Sequence, residues 1–241
     1  MKIITGTAEM QAFTDKIKRR GKASSPMTIG FVPTMGALHE GHMSLIEAAD
    51  RQDRKVIVSI FVNRAQFGEG EDFDGYPRDI KKDLKKLKAT KKVDCVFIPA
   101  EGDMYRDGYA TYVEVQSNMP KVLCGASRPG HFKGVTTIVS RLLNIVKPSR
   151  IYLGQKDIQQ AVIIKKMIQD LNYGVEAVVC PTIREKDGLA LSSRNSYLTP
   201  EERNTAPCLY RALKMAESMV ELGEKDSQAV IKEMKRKIKE E

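Results

Sequence analysis

The sequence predicts an α/β fold: a doubly wound parallel sheet, followed by a smaller, mostly helical C-terminal domain. Three observations lead there. Apolar, β-branched runs alternate with amphipathic stretches as far as about residue 180, the pattern of strand–helix units that build a parallel sheet. The clearest run, Lys55–Asn63 (Lys-Val-Ile-Val-Ser-Ile-Phe-Val-Asn), is unbroken rather than alternating, so it reads as a strand buried on both faces. After Thr199-Pro200 the remaining residues carry helical stripes and no strand signal. Together these give a Rossmann-like domain over residues 1–180 and a second domain over 181–241.

The elements follow in order. Thr28–Pro33 reads as a buried strand and Gly41–Ala49 as the opening of a helix. A polar loop rich in Gly, Glu and Asp runs through Tyr76, and Pro77 suits the first turn of the next helix, which sets Ile80, Leu84 and Leu87 on one side and lysines on the other. Val93–Pro99 is expected to be a strand, and Thr111–Val115 alternates like an edge or hairpin strand. Gly134–Val146 is helical and stops at Lys147-Pro148. Arg150–Leu153 is a short strand, and Asp157–Leu171 a helix with Asp157 as a candidate cap. Val175–Cys180 is a strand and Lys186-Asp187-Gly188 a turn. In the last stretch Leu209, Leu213, Ala216 and Val220 make one apolar stripe, and Val230, Met234 and Ile238 another.

Composition bounds the function. The formal net charge of +9 suits anionic partners, but much of the excess lies in Lys81–Lys92 and Lys232–Lys239 at helical spacing, which reads as solvated helix faces. Aromatic residues are few and Trp is absent, which argues against a base-stacking surface. No apolar run approaches the ~20 residues of a membrane span, and the N-terminus lacks the apolar core of a signal peptide. A cytoplasmic protein that binds neither nucleic acid nor membrane is expected. The four cysteines form no C-x-x-C pair and read as small buried hydrophobes in a reducing compartment.

Two common nucleotide motifs, G-x-x-x-x-G-K-[ST] and G-x-G-x-x-G, are absent. His39-Glu40-Gly41-His42 offers another anion site. It follows a predicted strand and opens a helix, where free N–H groups and the positive end of the helix dipole collect. Residues three apart share a helix face, so both imidazoles can address one phosphate chain, and Gly41 lets a ligand approach the backbone. A zinc site would need further ligands, and His131 is the only other histidine.

A longer string is more specific. Phe31 through His42 (Phe-Val-Pro-Thr-Met-Gly-Ala-Leu-His-Glu-Gly-His), then Ser44-Leu45, resembles the signature of the pantothenate synthetase (pantoate–β-alanine ligase) family, one of the HxGH-type nucleotidyltransferases. Further segments match in order: Ser59–Asn63 with Gln66-Phe67; Asp72 through Tyr76-Pro77-Arg78; Arg128–Val135; Gly154–Asp157 with Gln159-Gln160; and Asp187–Asn195. The resemblance covers about residues 28–202.

The resemblance implies a two-step ligation that uses ATP with Mg²⁺ and condenses pantoate with β-alanine, in a homodimer. It implies that Met35, Gly36, Ala37, Leu38, His39, Glu40, Gly41 and His42 cradle ATP, with His42 as catalytic acid. Gly154, Gln155, Lys156, Asp157, Leu191, Ser192, Ser193 and Arg194 would complete the ATP site, and Ile183 would touch the adenine side. His39, Lys156 and Arg194 would join His42 in stabilising the developing charge. Gln66 and Gln160 would hold pantoate, with Gln66 also placing β-alanine.

The residues carry readings of their own. Lys156 precedes a helix, so its ammonium can reach phosphates. Ser192, Ser193 and Arg194 follow a turn and supply hydroxyls and a guanidinium; the serines also suit a helix cap. Asn63 ends a strand at the ligand edge, or is a turn residue. Asp72 and Asp74 suit Mg²⁺ as hard oxygen ligands, and equally a solvated acidic loop. Arg128 and His131 stand on a Gly-Pro-rich loop, for ligand contact or for support of the site.

Two departures stand out. Arg64 replaces the proline that usually follows the asparagine of the Phe-Val-Asn motif, freeing a turn that proline would fix. The chain also ends some forty residues before family members do, without the strands of their C-terminal domain, which covers ATP. Two rivals are another nucleotidyltransferase, giving an adenylyl product without consuming an amine, and a basic RNA-binding protein, giving salt-sensitive RNA affinity without AMP release.

Overall fold

The computed structural model describes residues 1–22 and 24–240. The chain divides into two compact units, Met1–Pro181 and Thr182–Glu241. The first is built from β1 (Lys2–Ile4), α1 (Thr7–Arg19), β2 (Ile29–Thr34), α2 (Glu40–Gln52), β3 (Lys55–Ile60), α3 (Ile80–Thr90), β4 (Cys95–Phe97), α4 (Glu101–Met104), α5 (Cys124–Ser127), α6 (His131–Val146), β5 (Arg150–Gly154), α7 (Ile158–Asp170) and β6 (Glu176–Cys180). One six-stranded sheet runs in the order β1-β4-β3-β2-β5-β6, and every pair is parallel.

The unbroken apolar strands are explained by this sheet. Phe31 and Ile57 face one apolar cluster, with residues of α1, α6 and α7. Their neighbours Val32, Val56 and Val58 face a second, with Leu45, Ile46 and Leu87 of α2 and α3. Each large apolar side chain so buried contributes about 1.5–3 kcal/mol. Helix α6 is buried almost all round, as a central helix must be. Gly134 lets it close onto the turn after β3, because a Cβ there would run into the Ala65 carbonyl.

Strand order puts the topological switch between β2 and β5. The chain steps outward from β2 through β3 to β4, then crosses to β5 on the other side of β2. In open parallel sheets ligands bind outside the carboxyl ends of the strands at such a switch. Here those ends lead into Met35–His39 and Gln155–Asp157.

Several boundaries differ from expectation for local reasons. The Lys55–Asn63 run leaves the sheet after Ile60, because β2 ends opposite it at Thr34 and only Phe61 N–H still reaches a β2 carbonyl, at 3.0 Å. Pro77 is not in a helix. Asp79 caps α3 by accepting from Lys82 N–H at 2.9 Å, so the helix starts three residues later. Ile80 is 45% exposed while Asp83 and Leu87 are buried, so the inward face of α3 carries a carboxylate. Val93–Pro99 pairs as strand only over Cys95–Phe97. Thr111–Val115 forms no strand: Val113 N–H donates to Thr137 Oγ1 (3.0 Å) and its carbonyl accepts from Thr136 Oγ1 (2.6 Å), so α6 hydroxyls replace a neighbouring strand. Asp157 occupies the cap position of α7, but its side chain caps nothing and pairs with Lys156 instead. Cys95, Cys180 and Cys208 are buried as expected, whereas Cys124 is exposed.

The second unit holds α8 (Pro200–Thr205), α9 (Cys208–Glu221) and α10 (Ser227–Lys239), with no strand among the described residues. Thr199 and Glu202 form a reciprocal capping box, with Pro200 at the first helical position. Helix α9 buries Cys208 and Ala212, while Leu209, Leu213 and Val220 of the expected stripe stay exposed. In α10, Val230 and Met234 are half-buried, and Ile238 is exposed.

Candidate active site

The site begins where β2 ends. Gly36 (φ 83°) and Ala37 (φ 50°) both take left-handed backbone and turn the chain sharply into α2. Gly36 is needed for more than its φ, since a Cβ would press on Asp83 and on Ile60, at 3.0 and 3.1 Å. Thr34 Oγ1 donates to the Ser59 carbonyl (2.7 Å) and accepts from Gly36 N–H (3.2 Å), tying the loop to β3. From α3, Asp83 accepts from Ala37 N–H (2.9 Å) and Leu38 N–H (2.8 Å), and Lys86 donates to the Leu38 carbonyl.

The two histidines then cap α2 in an unusual way. His39 Nδ1 accepts from Gly41 N–H, and His42 Nδ1 accepts from His39 N–H, each at 3.2 Å. A backbone N–H can only donate, so both Nδ1 atoms are unprotonated and each neutral ring carries its proton on Nε2. The rings lie 4.1 Å apart between centroids. Neither Nε2 has a hydrogen-bond partner among the described residues. Burial, then the neighbouring His39, Lys156 and Lys86, hold His42 far below an ordinary imidazole, at about 3. Burial and Lys156 also lower His39. Two neutral N–H donors therefore stand side by side at a helix N-terminus.

Lys156 and Asp157 lie on a single turn after Gly154, at the end of β5, and pair at 3.2 Å. Lys156 is close enough to both imidazoles to oppose their protonation. Gln155 beside it is exposed. Gln160, in the first turn of α7, is half-buried and its amide makes no hydrogen bond among the described residues.

A second cluster stands at the end of β3. Asn63, 1% exposed, donates from Nδ2 to Gln66 Oε1 (3.0 Å) and to the Gly134 carbonyl (3.1 Å), and accepts from the Tyr105 hydroxyl (2.6 Å). Gln66 Nε2 lies 3.3 Å from Met35 Sδ, which joins this cluster to the loop of the histidines. Arg128 grips Glu71 with two nitrogens, reaches the Gln66 carbonyl at 3.4 Å and lies 3.2 Å from His131 Nε2. His131 Nδ1 is 2.8 Å from the same carbonyl. Arg128 and His131 thus brace the Gln66 turn, with the guanidinium neutralised by Glu71. Arg64 does not disrupt that turn: its guanidinium stacks 5.0 Å from the Phe73 ring.

Met35–His42, Asn63, Gln66 and Gly154–Gln160 therefore all lie at the carboxyl edge of one sheet. Asp72 and Asp74 sit on the loop before α3, and the Asp74 carbonyl accepts from Arg78 at 3.3 Å. In the second unit, Leu191 N–H donates to the Ile183 carbonyl (3.0 Å), closing a loop around Gly188, and Ser192 Oγ accepts from Arg194 N–H (3.3 Å) at the head of the turn Ser193–Tyr197. Ile183 and Arg194 are exposed.

Sequence reading missed Asp83, Lys86, Glu71 and Tyr105. A signal existed for Asp83. It lies three residues after Ile80 and four before Leu87, so a carboxylate interrupts the stripe meant to be apolar.

Comparison with known proteins shows the family. A family model described as pantoate-beta-alanine ligase matches residues 2–241. The chain is similar to the pantothenate synthetase of Moorella thermoacetica, 52% identical over 238 residues, covering 99% of this chain and 82% of that one. A crystal structure of pantothenate synthetase from Thermus thermophilus superposes with a TM-score of 0.91 at 43% identity, covering 99% of this chain and 82% of that one. Pantoate-beta-alanine ligase from Francisella tularensis, solved with beta-gamma ATP and beta-alanine, gives a TM-score of 0.83 at 37% identity, covering 98% and 86%.

Proposed function

This chain belongs to the pantoate–β-alanine ligase family, and on that premise we infer that it condenses pantoate with β-alanine to pantothenate in two ATP-dependent steps. A pantoate carboxylate oxygen attacks the α-phosphorus of ATP, forming pantoyl adenylate and expelling pyrophosphate. The β-alanine amine then attacks the activated carbonyl. The new C–N bond forms as the C–O bond to AMP breaks, and the amine sheds a proton. Activation is needed because a free carboxylate has no adequate leaving group.

The observation that carries this reading is the double-histidine cap, which leaves two Nε2–H donors with no hydrogen-bond partner among the described residues, at the switch point of the sheet. Negative charge grows on the phosphoryl oxygens during adenylyl transfer, and preorganised donors stabilise it without reorganising. His42 works here as a neutral hydrogen-bond donor through Nε2–H, since its ring takes up a second proton only far below neutral pH. Met35–Leu38, Glu40 and Gly41 shape the ATP site around the two rings. Lys156 adds a cation, while Gly154, Gln155 and Asp157 line the β5 side. Leu191, Ser192, Ser193 and Arg194 serve the triphosphate and Ile183 the adenine. Gln66 and Gln160 grip the pantoate hydroxyl and carboxylate, with Asn63 orienting Gln66 and Arg128 bracing it. Residues 1–180 form the ATP- and pantoate-binding domain and 181–241 the remaining, shorter one.

Among the described residues no group of three or more His, Cys, Asp or Glu side chains gathers to hold a metal. Asp72 and Asp74, hard oxygen donors on the loop before α3, would help to hold Mg²⁺ arriving with the triphosphate. The ion would screen the triphosphate charge. A cytoplasmic homodimer completes the reading. No helix among the described residues is long and apolar enough to cross a membrane.

The test incubates the chain with ATP, Mg²⁺ and pantoate, adds β-alanine, and follows AMP and pantothenate. β-Alanine-dependent release of both is expected. Its absence from folded protein sinks the proposal, and undiminished turnover by His42→Ala sinks the role given to that residue.

A further inference from the structure

The loop that carries the histidines is held by a residue outside the set assigned above. Successive N–H groups of left-handed backbone form a concave cradle for an anion, and Gly36 and Ala37 have that conformation. The cradle is already filled. Asp83, 2% exposed, places one carboxylate oxygen on Ala37 N–H at 2.9 Å and the other on Leu38 N–H at 2.8 Å. Lys86, one turn further along α3, takes the Leu38 carbonyl. The next residue is His39. One helix thus fixes both faces of the peptide leading into the histidine cap, and an internal carboxylate takes the N–H pair that a phosphate would otherwise seek.

We propose that Asp83 is a positioning residue for adenylyl transfer: by filling the cradle at residues 37–38 it fixes the aim of His39 and His42 and directs the triphosphate onward to the N-terminus of α2. The inference rests on the assignment of the two histidines to the phosphates. Asp83 touches no substrate. Alanine at position 37 has no native ease at φ 50°, so without the carboxylate the loop relaxes and the imidazoles turn with it.

The experiment is pantoate-dependent exchange of labelled pyrophosphate into ATP, with thermal melting alongside. Asp83→Asn keeps the shape but offers one acceptor to two donors. It is expected to lower kcat about 30- to 100-fold, the scale of a ~1 Å misplacement, with KM for pantoate within about 2-fold. Asp83 acts through both histidines, so adding Asp83→Asn to the His39→Ala/His42→Ala double variant should lower the rate no more than about 3-fold further. A folded Asp83→Asn enzyme at the wild-type rate, or effects that multiply in the triple variant, would overturn the proposal. If Asp83→Asn does not fold, Lys86→Met decides: a loss of roughly 5- to 10-fold in kcat at unchanged KM supports it, and the wild-type rate overturns it. His42→Ala at the wild-type rate would overturn the histidine assignment and this inference together, whereas slow His42→Ala beside normal Asp83→Asn overturns the inference alone.

Discussion

Replacing Gly134 by alanine puts the join between α6 and the substrate turn under direct load. The added methyl would collide with the Ala65 carbonyl and crowd Gln66 Cα, and both neighbours are backbone, so helix or turn must move. Overpacking of this kind costs about 1–3 kcal/mol. The shift also breaks the bond from Asn63 Nδ2 to the Gly134 carbonyl, and a buried polar group left without its partner costs about 1–3 kcal/mol more. Against this, removing a glycine from the unfolded chain restores about 0.4–1 kcal/mol. The net expectation is a loss of roughly 1–5 kcal/mol, read by urea unfolding. Turnover should suffer further, because Gln66 rides on the displaced turn and a ~1 Å error in placing a substrate can cost about 100-fold. The assay is kcat/KM for pantoate on protein shown to be folded. A Gly134→Ala enzyme with wild-type midpoint and kcat/KM would refute the argument that this contact sets the geometry of Asn63 and Gln66.

Acid should weaken the histidine cap. The fold holds His42 below its unfolded value of about 6.5, so as pH falls below that value the unfolded chain takes up a proton that the folded chain refuses; stability present above pH ~6.5 is lost progressively towards about pH 3. Melting curves across this window should fall less steeply for His42→Asn than for the parent, and identical slopes would refute the assignment. At the opposite edge of the sheet, Tyr152 donates to buried Asp53 at 2.6 Å; Tyr152→Phe should cost about 1–3 kcal/mol in urea unfolding without changing kcat, and a changed kcat at unchanged stability would show that the network serves catalysis. Arg64→Pro should be nearly neutral. Among the described residues its N–H bonds to no backbone group, and Asn63 before it is already extended (φ −86°, ψ 102°), so the gain in chain stiffness of about 0.4–1 kcal/mol offsets a lost cation–π contact of about 0.5–1 kcal/mol. A loss beyond about 2 kcal/mol would show that Arg64 does more than stack on Phe73.

The central strands and long helices were legible because burial on both faces of a parallel sheet leaves an unbroken apolar run, as in Lys55–Ile60. Periodicity could not see which partner a backbone would find. Thr111–Val115 alternates like a strand, yet threonine hydroxyls of α6 answer its polar groups. Leu209, Leu213 and Val220 form a sound helical stripe that nevertheless stays exposed, because a stripe specifies a face without specifying what covers it. The anion site at His39–His42 was legible from the strand–loop–helix order. Its chemistry was not: that both rings spend Nδ1 on the backbone depends on angles that no spacing encodes. Nor do spacings reveal that Arg128 is neutralised by Glu71, 57 residues away.

The way the two imidazoles are wired also bears on transition-metal ions. Histidines that ligate metals donate from the ring nitrogen facing away from the ion, which leaves the ligating nitrogen bare. Here the polarity is reversed. The nitrogen facing the protein is an acceptor, so the outward nitrogen must keep its proton. A zinc or nickel ion could seat itself only by expelling that proton or tearing open the first turn of α2. A pair whose spacing would suit a chelating handle is thereby locked as a pair of donors, open to phosphates and closed to the transition-metal ions that would compete for it.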